Sequence, residues 1–143
     1  MTRGYFGIGI YNGKDKANIG TLWRSAFNLG AKFIFVIGKR YKHQCSDTVK
    51  ALKHIPFFEY DKMDDLEIPK DCKLIGVELT ETARELKNYI HPERAIYLLG
   101  AEDNGLPEIV LSKCHDIIKI DSQFCMNVAV AGSIVMYDRK VKA

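Results

Sequence analysis

Two short apolar runs near the carboxyl end constrain the fold of this chain most, because polar residues follow each of them directly. Residues 95–99 form one run, which stops at Gly100, and residues 116–120 form the other. Short continuous apolar runs are typical of strands that are buried on both faces of a parallel sheet. Ligands of such sheets bind beyond the carboxyl ends of the strands. We therefore expect the chemistry of this chain in the loops that follow, near Glu102 and Asn127.

Strand-like and helix-like patterns alternate along the rest of the chain. The predicted strands are residues 5–11, 31–37, 57–60, 73–78, 95–99 and 116–120. The predicted helices are residues 18–29, a short segment from Ser46 or Asp47 to Leu52, a segment from Thr80 that includes Ala83, Leu86 and Tyr89, a short helix after Pro107, and residues 127–136. About six strands alternating with helices predict an α/β domain with a mostly parallel sheet and helices on both faces. No repeat or linker interrupts the pattern, so residues 1–143 are predicted to form a single domain.

The last predicted helix, residues 127–136, is apolar on nearly all sides. A surface helix needs only one apolar stripe to pack on its own domain. A terminal helix that is apolar all round needs a second surface over its outer face. The pattern therefore predicts a homodimer that forms through this helix.

Composition excludes several classes of protein. The four cysteines show no C-x-x-C spacing, so neither a zinc site nor a disulfide framework is indicated, and free thiols fit a reducing cytoplasm. The amino-terminal segment has no signal-peptide pattern, and the longest apolar run is roughly half as long as a membrane-spanning helix requires. We therefore expect a soluble cytoplasmic protein with no membrane segment.

The first predicted strand contains Gly7 and Gly9, a spacing that invites a dinucleotide-binding interpretation. The next glycine, Gly13, comes too late for G-x-G-x-x-G, and the first two lie inside the strand instead of after it. Close packing of this strand against a helix is the better explanation. The glycines therefore do not predict a nucleotide-dependent oxidoreductase.

The formal net charge of +3 at pH 7 is mildly basic, which permits binding to RNA without requiring it. The densest group of cations is Lys39, Arg40, Tyr41, Lys42 and His43, where a tyrosine lies among the basic residues. This segment can be a patch for phosphates and a ribose or base, or it can be a solvated loop. The sequence favours neither interpretation.

Two polar residues of the helix at residues 18–29 are candidates for a site. The apolar positions of this helix share one face, and Arg24 lies on another face that points away from the core. By position alone, Arg24 is a solvated cation and Asn18 is the N-cap of the helix. Asn18 can be both a cap and a site residue.

Three segments resemble the ordered motifs of one enzyme family. NIGTLWR (residues 18–24), LLGAEDNGLP (98–107) and FCMNVAVAGSI (124–134) are similar to the three motifs of the SpoU/TrmH family of RNA ribose 2′-O-methyltransferases. They occur in the family's order, each at a predicted strand–helix junction, and the match covers nearly the whole chain. The resemblance implies S-adenosylmethionine (AdoMet) as the cofactor, no metal, and a fold in which the carboxyl-terminal segment threads a loop to form an α/β knot.

The resemblance also implies residues for the cofactor. The family encloses the adenine of AdoMet with main-chain groups from three loops. By motif, these groups map to Glu78, Leu99, Gly100, Ile120 and Met126. Glycine at position 100 would let the backbone approach the cofactor closely.

The catalytic residues implied by the resemblance are Arg24, Asn18, Glu102 and Asn127. The family's invariant arginine, here Arg24, is proposed to assist deprotonation of the ribose hydroxyl and to act across a dimer. A free guanidinium stays protonated, so a bidentate clamp on the ribose and its phosphate is the easier task for it. The other three residues map to positioning groups and hydrogen-bond partners of Arg24 and the substrate.

Two positions depart from the family pattern. Ala101 stands where the second motif usually has proline, and Cys125 stands where the third motif often has serine. A thiol is a weak hydrogen-bond partner, and no histidine is placed by motif to activate Cys125 as a nucleophile. These departures leave an alternative function, a non-catalytic RNA-binding or regulatory module that retains the AdoMet-binding knot.

The resemblance narrows the substrate to RNA. Larger members of the family carry an additional RNA-binding domain, whereas short members of this size modify the wobble ribose of tRNA. The first motif, ANIGTLWRSAFNLGA (residues 17–31), resembles the general TrmH type more than the wobble-specific type. We expect tRNA as the substrate in preference to rRNA.

Overall fold

The computed structural model describes residues 4–40 and 54–143. The described elements, in chain order, are β1 (Tyr5–Tyr11), α1 (Lys16–Leu29), β2 (Phe33–Ile37), β3 (Phe57–Tyr60), β4 (Lys73–Val77), β5 (Arg84–Glu85), β6 (Arg94–Leu99), α2 (Glu108–Leu111), β7 (Asp116–Lys119) and α3 (Val128–Lys142). Single 3₁₀ turns cover Met63–Asp65 and Leu86–Asn88. Three residues of the predicted basic segment, Tyr41, Lys42 and His43, and the predicted short helix ending at Leu52 lie outside the described residues.

The strands of the described chain form one sheet in the order β3-β2-β1-β6-β4-β7-β5, and every pair is parallel. Near its centre, Ile8 of β1 lies beside Ile34 of β2 on one side and Tyr97 of β6 on the other. The predicted α/β class with a mostly parallel sheet is therefore confirmed. Because all strands point the same way, the loops after β1, β4, β6 and β7 leave the sheet at one edge, which we call the carboxyl edge.

Helices cover both faces of the sheet, as predicted. α1 and α3 pack on one face in a core that includes Ile8 and Leu99, whereas α2 packs on the other face in a core that includes Leu74 and Leu98. Adjacent residues of the central strands therefore enter different cores, and both are buried. This explains why the strand sequences are continuous apolar runs instead of alternating ones.

The glycines of β1 make room for aromatic rings. A Cβ atom at Gly7 would lie 2.3 Å from the ring of Phe33, and one at Gly9 would lie 2.5 Å from the ring of Phe35. Both rings belong to the neighbouring strand β2, which pairs with β1 in this register. The expectation of close packing was correct, but the predicted partner was wrong, since the glycines face rings of the adjacent strand and not a helix.

Helix α1 begins two residues before its predicted start. Its N-cap is Asp15, whose Oδ1 accepts the main-chain N–H of Ala17 at 2.9 Å. The predicted N-cap role of Asn18 is therefore wrong, because Asn18 already lies inside the helix and its side chain is free to bond elsewhere. The predicted end is confirmed, since Gly30 caps the helix in the left-handed conformation at φ 92°.

The predicted helix from Thr80 does not form. Arg84 and Glu85 pair instead with β7 and form the edge strand β5, and a 3₁₀ turn, Leu86–Asn88, follows them. The sheet takes up the main-chain hydrogen bonds of this segment, so they are not available to a helix. The three-residue spacing that suggested an α-helix also fits a 3₁₀ turn, where residues i and i+3 lie on the same side. β5 adds a seventh strand to the six that were predicted.

Helix α3 begins one residue after its predicted start and ends six residues later than predicted. Asn127 is its N-cap, because Asn127 Oδ1 accepts the main-chain N–H of Val130 at 3.1 Å. One face of the helix is buried on the sheet and on α1, but Val130, Tyr137 and Val141 are exposed. The remaining boundaries agree with the predicted ones within two residues. Every helix in residues 4–40 and 54–143 is too short or too polar to cross a lipid bilayer.

The carboxyl-terminal half of α3 ends in a polar cluster at the opposite edge of the sheet. The buried Arg139 donates to the carbonyls of Pro92 (2.7 Å) and Glu93 (2.8 Å) and to the hydroxyl of Tyr97 (3.2 Å). His91 lies between the Tyr97 hydroxyl (2.6 Å) and Asp138 (2.7 Å), which also pairs with Lys142 at 2.8 Å. We call His91, Tyr97, Asp138, Arg139 and Lys142 the amino-end network. It explains why the helix continues beyond its predicted end at Met136.

Candidate active site

A cleft opens at the carboxyl edge, where β4, β6 and β7 end side by side. Its walls are mostly apolar, and polar groups of Lys119, Ser122 and Glu102 lie around it. The residues that the sequence assigned to a cofactor come from the ends of these three strands and from the loop before α3. All of them line this cleft: Glu78, Leu99, Gly100, Ile120 and Met126. The structure thus brings the five residues together, and their binding role stays a prediction.

Glu78 supports the neighbouring loop from within the cleft. Its carboxylate accepts the main-chain N–H groups of Leu106 at 2.5 Å and Leu79 at 3.3 Å. Gly105 lies against it with φ 62°, and a Cβ atom there would be 2.4 Å from Glu78 Oε2. Position 105 therefore requires glycine for two reasons, the left-handed backbone and the carboxylate beside it.

Gly100 also packs closely against this loop. A Cβ atom at Gly100 would lie 2.4 Å from the carbonyl carbon of Gly105. The turn closes through a hydrogen bond from the N–H of Gly105 to the carbonyl of Ala101 at 3.0 Å. Position 100 therefore requires glycine because of the backbone of residues 105–106, and its approach to the cofactor stays a prediction.

Three of the four predicted catalytic residues form a single chain of hydrogen bonds at the rim of the cleft. Asn127 Nδ2 donates to Asn18 Oδ1 at 3.0 Å, and Asn18 Nδ2 donates to Glu102 Oε1 at 2.7 Å. Glu102 Oε2 accepts the main-chain N–H of Lys14 at 3.1 Å. Because Asn127 Oδ1 is used as the cap of α3, its amide can only donate toward Asn18, and this sets the direction of the chain. We call Asn18, Glu102 and Asn127 the amide chain.

The fourth predicted catalytic residue, Arg24, does not join the amide chain. It lies six residues beyond Asn18 on α1, about 9 Å along the helix axis at the ordinary helical rise. Its side chain is exposed and makes no hydrogen bond or ion pair within the described ranges. The guanidinium is therefore available to a group outside this single chain.

The loop from Ser122 to Met126 forms one side of the mouth. Cys125 lines the cleft and is exposed, and the three histidines that the structure describes, at positions 54, 91 and 115, do not line it. The structure thus offers Cys125 no histidine base there. The Ser122 hydroxyl donates to the carbonyl of Phe124 at 2.9 Å and to that of Ile120 at 3.3 Å, and Phe124 is 82 % exposed beside the cleft.

Sequence reasoning missed Lys119 and Ser122, which also line the cleft. Lys119 Nζ donates to the carbonyl of Thr80 at 3.2 Å. Both residues lie at or just beyond the end of β7, so their position after a buried strand was the signal that could have found them. No group of three or more metal-binding side chains occurs among the described residues.

The predicted basic segment is partly described. Arg40 forms a bidentate ion pair with Asp103 in the loop that carries Glu102. The hydrogen bonds from Arg40 lower the pKa of Asp103 to about 2, so this carboxylate stays ionised at neutral pH. Lys39 pairs instead with Glu59 of β3 at 3.1 Å. The two cations of one segment therefore contact different parts of the molecule.

Solved structures with this fold are numerous. The SpoU methyltransferase AviRb from Streptomyces viridochromogenes, in complex with AdoMet, superimposes with a TM-score of 0.83 at 21 % identity, covering 99 % of this chain and 59 % of that one. A protein described in a study of 2-OH methylation of C/U34 on tRNA gives a TM-score of 0.82 at 19 % identity and covers 95 % of this chain and 94 % of that one. At these identities the likeness shows the fold.

Sequence comparison identifies the family. The mouse (Mus musculus) tRNA (guanosine(18)-2′-O)-methyltransferase TARBP1 is 26 % identical over 136 residues, which cover 85 % of this chain and 8 % of that protein. The chain thus matches a small part of that long relative. The model of the SpoU rRNA methylase family matches residues 6–137, which is nearly the whole sequence. The predicted family is therefore confirmed, and this chain belongs to the SpoU rRNA methylase family.

Proposed function

We propose that this chain is an AdoMet-dependent RNA methyltransferase that methylates a ribose 2′-hydroxyl, with tRNA as the favoured substrate. The observation that carries the proposal is the amide chain. Its three residues come from separate parts of the sequence, and they meet by hydrogen bonds of 2.7 and 3.0 Å at the rim of one cleft. A protein of this family that only bound RNA would have no need of that arrangement.

The cleft suits AdoMet in its chemistry. Apolar side chains, including Val77, Leu99 and Val128, offer a surface for an adenine ring, and the carboxylates of Glu78 and Glu102 in the same lining carry the charge that would attract a sulfonium cation. The cleft measures about 90 Å³ and is open to solvent, so a cofactor bound there would extend beyond it. AdoMet would supply the electrophilic methyl group.

The residues of this chain would position the hydroxyl. A ribose 2′-hydroxyl is barely ionised at neutral pH, so methyl transfer depends on its orientation and on removal of its proton. We assign Arg24 to clamp the ribose and its phosphate by bidentate hydrogen bonds, because a guanidinium stays protonated and is a poor base. The amide chain, which its own hydrogen bonds hold in place, would align the nucleotide.

The preference for tRNA rests on two likenesses. TARBP1 and the protein of the C/U34 study are both named for tRNA methylation. The single domain of residues 1–143 would bind both AdoMet and RNA. Its free thiols at Cys72, Cys114 and Cys125 suit a reducing compartment, and we place the protein in the cytoplasm.

A homodimer through α3 completes the proposal. Val130, Ile134, Tyr137 and Val141 follow the i, i+4, i+7, i+11 spacing of one helical stripe, and three of them are exposed in the single chain. A second copy of this stripe is the self-complementary partner that two-fold symmetry provides. Arg24, which has no partner among the described residues of its own chain, would then serve the site of the other chain.

The function is tested with isotope-labelled AdoMet and total RNA from a strain that lacks the protein. We expect label to enter an RNA of tRNA size and to resist alkali at the modified position, because a 2′-O-methyl group blocks cleavage there. Calorimetry with AdoMet and with its demethylated product measures the cofactor separately. Absence of heat and of a thermal shift at millimolar ligand would overturn the cofactor assignment.

Cys125 favours a second candidate function, a regulatory RNA-binding module, because it stands where a serine hydroxyl is usual and it lines the cleft. Binding of AdoMet and RNA without methyl transfer would support this alternative. The variant Cys125→Ser separates the two. Turnover that appears only in this variant would assign the wild type to regulation, whereas similar turnover in both would assign it to catalysis.

The dimer is tested with Val130→Asp. Val130 is 47 % exposed, so a carboxylate there costs the single chain little, but in a dimer it would be buried without a partner. We expect light scattering to show a monomer, and circular dichroism to show that its secondary structure is unchanged. An active wild-type monomer would end the proposal of a dimer.

Complementation tests the placement of Arg24. Arg24→Ala removes the clamp, and Gly100→Trp breaks the cleft, since even a Cβ atom there meets the backbone of Gly105. If Arg24 acts across the interface, mixed dimers regain one working site. Verified mixed dimers that stay inactive would place Arg24 in the site of its own chain.

A further inference from the structure

The loop that carries Glu102 is fastened to a second loop by one arginine. Arg40 Nη1 donates to Asp103 Oδ2 at 3.1 Å, and Nη2 donates to Asp103 Oδ1 at 2.6 Å. Arg40 Nε donates to the carbonyl of Asn12 at 3.0 Å, and the Arg40 main-chain N–H donates to the carbonyl of Gly13 at 2.9 Å. Arg40 therefore joins the loop after β6 to the loop after β1.

The same two loops meet at the amide chain. Glu102, the neighbour of Asp103, accepts from the main chain of Lys14 and from the side chain of Asn18. Lys14 follows the two residues whose carbonyls Arg40 holds. The Arg40 contacts thus lie one residue from Glu102, at Asp103, and one residue from its partner Lys14, at Gly13, so a shift in one set displaces the other.

Stability is not the main effect of this pair. Arg40 and Asp103 side chains are 33 % and 38 % exposed, and exposed ion pairs contribute little to the free energy of unfolding. A planar guanidinium with Nε and both terminal nitrogens bonded is nevertheless fixed in direction, which an ammonium group cannot reproduce. The ion pair therefore orients the two loops more than it adds to the free energy of unfolding.

We infer that Arg40 and Asp103 are a positioning pair for the proposed methyl transfer, and that their bidentate contact sets the 101–105 loop so that Glu102 meets Asn18. The inference rests on the proposed function for its catalytic consequence. It differs from a role in binding RNA phosphate. In that case Asp103 would compete with the RNA for Arg40, and removing its charge would improve binding.

Arg40→Lys and Asp103→Asn separate these roles. Lysine keeps the positive charge that attracts phosphate but lacks the planar guanidinium that makes two parallel hydrogen bonds. Asparagine removes the negative charge of Asp103 and keeps the shape of the side chain. For positioning, each variant lowers kcat by about 10-fold, with the KM for RNA within about 2-fold, and the double variant is no worse than either single one. Normal kcat in Arg40→Lys, or a lower KM in Asp103→Asn, overturns the inference.

Glu59→Gln is the matched control. It removes the carboxylate that pairs with Lys39, the residue before Arg40, but that pair lies on β3 and not on the 101–105 loop. We expect its kcat and KM to equal those of the wild type. An equal loss of kcat in Glu59→Gln and Asp103→Asn would show a general effect of charge and would overturn the inference.

Amide hydrogen exchange gives a readout that needs no activity. Exchange of the Lys14 N–H and of residues 101–106 is expected to be faster in Arg40→Lys and Asp103→Asn than in the wild type or Glu59→Gln, with similar thermal unfolding. Unchanged exchange overturns the inference. If the wild type methylates no RNA, the proposed function fails, and the exchange result alone decides whether the pair positions this loop.

Discussion

The two polar clusters at opposite edges of the sheet use their hydrogen bonds in different ways. In the amino-end network, Arg139 is 6 % exposed and donates hydrogen bonds to two carbonyls and a hydroxyl of its own chain. The amide chain lies at an open rim, and the guanidinium of Arg24 makes no hydrogen bond or ion pair in the described residues. A cavity lined by His91, Arg139 and Lys142 of this network measures about 430 Å³, against about 90 Å³ for the cleft at the carboxyl edge. The buried Arg139 therefore supports its own fold, whereas the Arg24 guanidinium is available to a group outside the described residues.

Arg139→Met is expected to have the largest effect on stability, because it disrupts the amino-end network. It leaves the carbonyls of Pro92 and Glu93 and the hydroxyl of Tyr97 without this donor in a buried place. We expect a loss of about 3 kcal/mol in the free energy of unfolding, which lowers Tm by about 6–12 °C.

The affinity of Arg139→Met for AdoMet at 15 °C should match that of the wild type, because the cleft is at the other edge. Calorimetry measures the affinity, and thermal unfolding measures the stability. Lys140→Met is the control, since Lys140 is the next residue of α3 and is exposed. A folded Arg139→Met variant with much weaker AdoMet binding would contradict the structural assignment of this network.

Asn18→Asp is expected to have the reverse effect, a loss of activity with little loss of stability. It replaces the amide donor that faces Glu102 at 2.7 Å by a second carboxylate, which repels Glu102 and breaks the amide chain. We expect kcat/KM to fall by about 100-fold, while the free energy of unfolding changes by less than about 1 kcal/mol.

Methyl transfer to RNA and urea unfolding measure the two effects of Asn18→Asp. Asn88→Asp makes the same change at an exposed position near the amino-end network and should leave the activity unaltered. Activity within 2-fold of the wild type in Asn18→Asp would contradict a role for the amide chain in the reaction.

The sequence predicted the central sheet well because strands buried on both faces have an unambiguous pattern. It failed between β4 and β6, where Ala83, Leu86 and Tyr89 recur at intervals of three. That spacing suits an α-helix or a 3₁₀ turn, and pairing of Arg84 and Glu85 with β7 decided the outcome. A distant strand supplied the deciding contacts, and a local pattern does not contain them.

The site was predictable to the extent that each residue lies in a recognisable motif. Asn18, Glu102 and Asn127 were expected together, and the structure joins them. The pairing of Arg40 with Asp103 was not predicted, because exposed charges 63 residues apart have no pattern that relates them. The burial of Arg139 was missed for a similar reason, since a charged residue in a terminal helix is usually solvated.

The smallest predicted effect is a pH dependence of stability that arises at the amino-end network. Burial lowers the pKa of His91, while its contact with Asp138 acts in the opposite direction and Arg139 and Lys142 add to the lowering. Neutral His91 also suits its contacts, because one ring nitrogen can accept from Tyr97 while the other donates to Asp138. Protonation would leave the Tyr97 hydroxyl facing two donors, His91 and Arg139.

The folded state therefore favours neutral His91, and the unfolded chain takes up its proton at an ordinary histidine pKa of about 6.5. The stability from this group is present above that pH and is lost as the pH falls below it, with a slope of at most about 1.4 kcal/mol per pH unit. Urea unfolding at pH 7.5 and 5.5 should show a larger loss in the wild type than in His91→Gln, which cannot titrate. AdoMet affinity at the two pH values should change equally in both proteins, since His91 is remote from the cleft. If the free energy of unfolding depends on pH equally in both proteins, His91 does not set this pH dependence. If the two proteins differ only in their AdoMet affinity, the two edges of the sheet are energetically coupled.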